Sequence, residues 1–139
     1  MNTEQNTAYA ALILRLSLGV MLLAHAYLKV MVFSVPGTVQ FFSSVGFPGW
    51  MAYLVLAAEI GGGLLMLGGV FTRWVSLVLI PIMLGAISVH LHNGWVFSAP
   101  NGGWEYPAFL TVALIVQALL GPGAFALGQN VRSPGVAHA

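Results

Sequence analysis

Polar side chains are so sparse along this chain that the apolar runs between them define its elements. Residues 8–32, 50–70, 74–92 and 106–127 are each almost wholly apolar. Each is about the 20 residues that a helix needs to cross a hydrocarbon core about 30 Å thick. The first run ends at Phe33-Ser34-Val35-Pro36-Gly37, and the second is entered after Gly46-Phe47-Pro48-Gly49. The third stops at Asn93-Gly94, and the fourth opens at Tyr106-Pro107, with proline near a helix N-terminus, where its missing N–H costs little. None of the runs alternates with the two-residue period of a barrel strand, the other structure able to span lipid. The pattern predicts an all-α integral membrane four-helix bundle. Pro107 to Leu120 is too short to cross alone, ~21 Å at the helical rise. Gly121-Pro122-Gly123 therefore predicts a kinked fourth helix, with residues 124–128 finishing the span or lying at the interface.

Composition agrees with the pattern. The 139 residues are 59% hydrophobic and 5% charged, against about 25% charged in soluble domains, so lipid must cover most of the surface. A net charge of +1 without any basic run excludes nucleic acid as a partner. The absence of cysteine excludes disulfides, thiolate metal sites, iron–sulfur ligation and thiol redox chemistry from this chain. The opening MNTEQNTAYA has no Lys or Arg, unlike a signal peptide, and the first apolar run is expected to stay in the mature protein.

Four crossings would put both termini on one side, together with Arg73 and Arg132. Arg15, about two turns into the first helix, is expected to snorkel toward the same face. The positive-inside rule makes that face cytoplasmic, leaving loops 33–49 and 93–105 outside. Residues 1–128 are read as one transmembrane domain. Residues 129–139 are read as a mobile tail, in which His138 is a poor site candidate.

The remaining ionisable groups gather in the outer half. His25 and Lys29 lie ~10 Å and ~5 Å below the outer end of the first helix by the helical rise. Glu59 lies near mid-membrane, while His90, His92 and Glu105 close the outer end. His25 and Lys29, four residues apart, share a helix face with Gly19, Leu22 and Ala26, and Glu59 shares one with Gly62, Gly63 and Met66. Small residues mark helix contacts in membranes, so these faces should look inward. Pro81 leaves the Leu77 carbonyl without its helical donor and should bend the third helix.

A structural role accounts for part of this: Lys29 and Glu59 as an ion pair that sets helix register, with His25 bonded to a carbonyl or hydroxyl. Two histidines and a second glutamate exceed what register needs, which favours a polar pocket for an amphipathic molecule. Tyr27, Trp95, Phe97, Trp104 and Tyr106 surround it, although interfacial Trp and Tyr are commonly membrane anchors. The candidate reactive groups are His25, Lys29 and Glu59. The candidate ligand contacts are His90, Glu105, Tyr106, Tyr27 and Trp104.

The chain resembles the DoxX family of small four-helix bacterial membrane proteins from about Leu12 to Leu127. The likeness rests on RLSLGVMLLAHAYLK at 15–29, AEIGGGLLMLGGVFTRW at 58–74, VHLHNGW at 89–95, GGWEYP at 102–107 and GPG at 121–123, in that order. It departs at Ala26, where the family commonly has Gly, and at Ala126 and Gly128, where Ser and Asp are common. The family's polar positions have counterparts in His25, Lys29, Glu59, His90, Glu105 and Tyr106. The resemblance implies links to quinone-coupled oxidation, to redox stress and catechol or quinone resistance, and to assembly of redox enzymes.

Three functions follow from the residues and the resemblance together. One is a quinone-linked oxidoreductase component: His25, Lys29 and His90 donate to the ring oxygens, and Glu59 and Glu105 pass protons. Electrons would come from a redox partner subunit, since the chain has no flavin or dinucleotide fingerprint. The second is a non-catalytic carrier of a lipophilic small molecule, and the third an assembly partner of a larger membrane redox complex. Haem between His25 and His90 is disfavoured by a depth difference of roughly 7 Å. No metal site is expected, because His90 and His92 at a spacing of two point apart on a helix.

Overall fold

The computed structural model describes residues 2–128; Arg132, His138 and the predicted tail lie outside the described residues. Within that range every regular element is a helix. Helix α1 covers Thr3–Tyr27 and continues as a π-helical turn, Leu28–Val32. Helices α2 (Val35–Ser44), α3 (Met51–Gly68), α4 (Thr72–His90) and α5 (Glu105–Leu120) follow, with a 3₁₀ turn at Leu91–Asn93. Three segments are long and apolar enough to cross a membrane: Thr3–Val32, Met51–Gly68 and Thr72–Asn93.

Local chemistry sets the boundaries. Asn2 and Gln5 form a reciprocal capping box at the start of α1, at 2.9 and 3.1 Å, satisfying two of the otherwise orphaned first-turn donors. The segment 33–49, read from sequence as a loop, contains α2. Its proline starts a helix: Ser34 Oγ accepts from Gly37 N at 3.2 Å, and Pro36 falls in the first turn, where it is tolerated. Gly69, at φ +70°, ends α3, and Val70 N returns to the Leu65 carbonyl at 2.9 Å.

The fourth long helix ends at Gly121-Pro122-Gly123. Helix α5 stops at Leu120, and Gly121 takes φ +78°, a conformation favoured by glycine. The following backbone finds partners on other helices. Ala124 N donates to Ala8 O at 3.0 Å and Leu127 N to Gly68 O at 2.9 Å, so residues 121–128 form a strap across α1 and α3. The expected kink is thus a terminus. Its donors meet carbonyls on neighbouring helices before a second helical segment can form.

The helices alternate in direction. Lys29 near the end of α1 pairs with Glu59 in the first half of α3, whereas Arg15 nearer its start reaches Met66 and Leu67 at the end of α3. Tyr106 at the start of α5 meets His25, and Gln117 near its end meets Ala11. The molecule therefore has a Lys29 end and an Arg15 end. Gly19 and Gly63 face each other where α1 crosses α3: a Cβ on either would stand 3.1 Å from the other's carbonyl oxygen. Leu18, Leu22, Met66, Leu79, Met83 and Leu114 fill the centre between the two ends.

Outside, the chain exposes Ile13, Val20, Leu54, Leu64, Val78, Leu84, Phe109 and Leu119. Soluble monomers rarely expose contiguous apolar patches of more than a few hundred Å². With three helices long enough to span and 5% charged residues, this outer face is a lipid face.

Candidate functional site

Arg15 had been expected to reach water, and it does the opposite. It is 1% exposed, with Nη1 donating to the carbonyls of Met66 (3.1 Å) and Leu67 (3.2 Å) and Nη2 to Ala124 O (3.1 Å). The last carbonyls of a helix have no intrahelical donor, and a cation complements the negative end of the helix dipole. Arg15 therefore caps α3 and ties the strap to it. The sequence carried a signal for this in the glycine-rich end of α3, where a close approach is possible, but no intrahelical period reports it.

At the Lys29 end the predicted residues separate into two layers. In the deeper layer Lys29 Nζ donates to Glu59 Oε1 at 2.6 Å. Glu59 is 3% exposed, and its Oε2 is buried with no hydrogen-bond partner among the described residues. His25 Nε2 lies 3.0 Å from the Tyr106 hydroxyl, and the two rings stack at 5.3 Å and 13°. One helical turn separates His25 from Lys29, so pair and stack share one face of α1. This layer brings together α1, α3 and α5.

The π turn at Leu28–Val32 sits directly on this layer. Such turns are rare and concentrate at functional sites, and nothing in the apolar run around Lys29 announces one. Thr38 of α2 donates to the Lys29 carbonyl at 3.0 Å, supplying a donor to the distorted backbone and docking α2 on it.

The second layer is the loop between α4 and α5. His90 Nδ1 donates to the Asn101 carbonyl at 3.0 Å, and Asn93 Nδ2 donates to the carbonyls of Asn101 (3.1 Å) and Gly102 (2.9 Å). A carbonyl only accepts, so the proton on His90 is at Nδ1. Glu105 Oε1 accepts from Phe97 N at 2.8 Å. Trp95 and Trp104 meet edge to face with centroids 4.4 Å apart. Asn101 holds φ +66°, a conformation asparagine tolerates better than most residues. Gly103 passes so close to the carbonyls of Trp95 and Val96 that a Cβ there would overlap both. His90, Glu105 and Trp104 thus shape the loop. His92 is exposed, and Tyr27 is 60% exposed, so the structure does not bring Tyr27 to the deep layer. Asn93 and Asn101, which sequence reasoning passed over as turn residues, hold the loop in place.

An open groove of about 550 Å³ lies along α5, lined by Trp95, Phe97, Glu105, Tyr106, Ala108, Phe109 and Val112. The volume falls within that of small-molecule sites. Its walls are apolar and aromatic apart from Glu105 and the Tyr106 hydroxyl. Tyr106 belongs to both structures: it lines the groove and bonds to His25. Lys29 and Glu59 lie behind it, outside the lining. Among the described residues no three His, Asp or Glu side chains group as metal ligands.

These features define a small helical integral membrane protein with a buried polar layer near one end. The DoxX family profile matches residues 10–93, and the chain belongs to that family. It is 34% identical over 121 residues to a Bacillus subtilis protein named "Putative oxidoreductase CatD", covering 86% of this chain and 85% of that one. It is 30% identical over 95 residues to the Escherichia coli "Inner membrane protein YqjF", covering 67% of this chain and 71% of that one. No solved structure gives a significant match.

Proposed function

We propose that this protein is a membrane-embedded component of a redox system that binds a quinone or a similar lipophilic small molecule at the Lys29 end. The observation that carries the reading is the double placement of Tyr106. Its ring forms a wall of the lipid-facing groove, and its hydroxyl bonds to His25. An aromatic head group entering sideways from lipid would lie among Trp95, Phe97, Tyr106 and Phe109. The Tyr106 hydroxyl would donate to a ring oxygen and exchange its proton with His25, whose ordinary pKa is near neutrality. Glu59 and Lys29 hold a charged pair behind this bond, and Glu105 stands at the groove mouth. Electrons would come from a partner subunit or carrier, since the chain has no cysteine and no nucleotide-binding fingerprint.

In this reading residues 1–128 form one transmembrane domain of four crossings, α1, α3, α4 and the shorter α5 completed by the strap 121–128. The termini are cytoplasmic and the Lys29 end faces outward, in the bacterial inner membrane. The name of the Escherichia coli relative and the positive-inside placement of Arg73 support this. Titration of purified protein in nanodiscs with a short-chain quinone, followed by tryptophan quenching, tests the reading. Saturable quenching that weakens in Tyr106→Phe is expected, and quenching that never saturates overturns it.

One observation favours a second reading. Lys29 and Glu59 are absent from the groove lining and join α1 to α3, as expected if they only set helix register in an assembly partner of a larger redox complex. There Lys29→Met would abolish co-purification of the partner while leaving quinone binding untouched.

A further inference from the structure

The Arg15 end holds a set of buried groups whose bonding capacity the helices leave unmet. Gln117 of α5 is 0% exposed, Thr72 of α4 2% and Arg15 of α1 1%. Arg15 Nε, Thr72 Oγ1 and Gln117 Oε1 are each buried with no hydrogen-bond partner among the described residues. Leaving a buried polar group unpaired is costly, and such groups in native proteins usually meet ordered water.

The orientation of Gln117 is fixed. Its Nε2 donates to Gly121 O at 2.7 Å and to Ala11 O at 3.3 Å, and reversing the amide would set its oxygen against two carbonyl oxygens. Oε1 therefore requires a donor. Arg15 Nε can only donate, and Thr72 Oγ1 can do either. Whatever completes all three groups must both accept and donate. An anion satisfies Arg15 but repels Gln117 Oε1, and a metal cation satisfies Gln117 but repels Arg15. A small neutral hydroxylic molecule satisfies all of them.

The three residues come from three helices and converge at one end of the molecule. Gln117 bonds to Ala11, one turn before Arg15, and to Gly121. A Cβ on Gly121 would lie 3.1 Å from Nε of Arg73, the neighbour of Thr72. A cleft of about 440 Å³ opens at the same end, against Thr7, Ala8, Ala11, Leu120 and Ala124. Ala11 and Ala124 supply the carbonyls that Gln117 and Arg15 hold.

We infer that Arg15, Thr72 and Gln117 form a buried water-binding site at the end opposite the quinone groove. One or two ordered waters there complete the clamp of Arg15 on α3 and the strap. The site is separated from the Lys29 layer by the apolar centre of Leu18, Met66, Leu79 and Leu114. It is a hydrated anchor at the Arg15 end.

An experimental structure of the full chain in lipid at about 2 Å, with a parallel bromide soak, tests this. Density within hydrogen-bond distance of at least two of the three atoms, without bromide anomalous signal, is expected, and it is expected to vanish in Gln117→Leu. Empty space, a direct bond among the three side chains, a bromide signal, or density unchanged in Gln117→Leu would each overturn the assignment. The wild-type arm decides the case if the variant fails to fold.

Discussion

Lys29→Met is the perturbation that best separates register from chemistry. It leaves the Glu59 carboxylate, 3% exposed, with neither oxygen bonded, because Oε2 has no partner even in the wild type. Stranding one member of a buried ion pair costs about 3–5 kcal/mol. Glu59→Met strands the other member, but the Lys29 side chain is 20% exposed and can hydrate. The smaller cost, about 1–3 kcal/mol, is that of an unmet polar group. In Lys29→Met/Glu59→Met neither charge remains, and apolar replacement of buried pairs is often neutral or stabilising. The double variant should therefore unfold within about 1 kcal/mol of wild type, a coupling of several kcal/mol between neighbouring sites. Denaturation by SDS in mixed micelles, followed through the four tryptophans, measures all four corners of the cycle. If the pair also serves the ligand, the stable double variant should bind the quinone at least about tenfold more weakly, or about 1.4 kcal/mol. A loss below 1 kcal/mol in Lys29→Met, or a double variant as unstable as that single one, would refute the reasoning.

Three further outcomes follow from the geometry. Arg15→Lys should cost about 2–4 kcal/mol in the same SDS assay despite keeping the charge, because three hydrogen bonds to charge at about 1.5–3 kcal/mol each reduce to one or two. Tyr106→Phe keeps the groove wall but removes the bond to His25. It should weaken quinone binding by about 5- to 10-fold, roughly 1–1.4 kcal/mol by calorimetry, with little change in unfolding. Gly63→Val adds side-chain atoms where even a Cβ would meet Leu23 Cγ at 2.8 Å and Gly19 O at 3.1 Å. Overpacking of about 1–3 kcal/mol should appear as early unfolding, together with loss of a Lys29–Glu59 crosslink by a zero-length carbodiimide.

The legible part of the site was the part carried by intrahelical spacing. His25 and Lys29 share a face because residues four apart always do, and Glu59 shares one with Gly62 and Gly63 for the same reason. The pairing of Lys29 with Glu59 was expected from their depth and is present, but which hydroxyl His25 meets was not legible. The Tyr106 hydroxyl reaches His25 through the relative height of α1 and α5, and that height is set by Gln117 on Ala11 and by the strap, far from either ring. His90 and Glu105 looked like pocket residues from their depth alone. Loop backbone bonds to both, and Glu105 lines the groove as well, because a turn holding Asn101 at positive φ exposes carbonyl and N–H groups that need side-chain partners.

Composition and the length of the apolar runs determined by themselves that this chain is helical and lives in lipid, since both follow from the cost of taking backbone and charge out of water. Tertiary structure alone decided where that backbone stops and what the few charges do. Helix α5 does not resume after Gly121-Pro122-Gly123 because the donors of Ala124 and Leu127 find Ala8 and Gly68, and Arg15 turns inward to the Met66 and Leu67 carbonyls at the end of α3. Which donor meets which acceptor depends on how high each helix stands against its neighbours. Between α1 and α3 that height is fixed by packing at Gly19 and Gly63, a contact between residues 44 positions apart that no local pattern encodes.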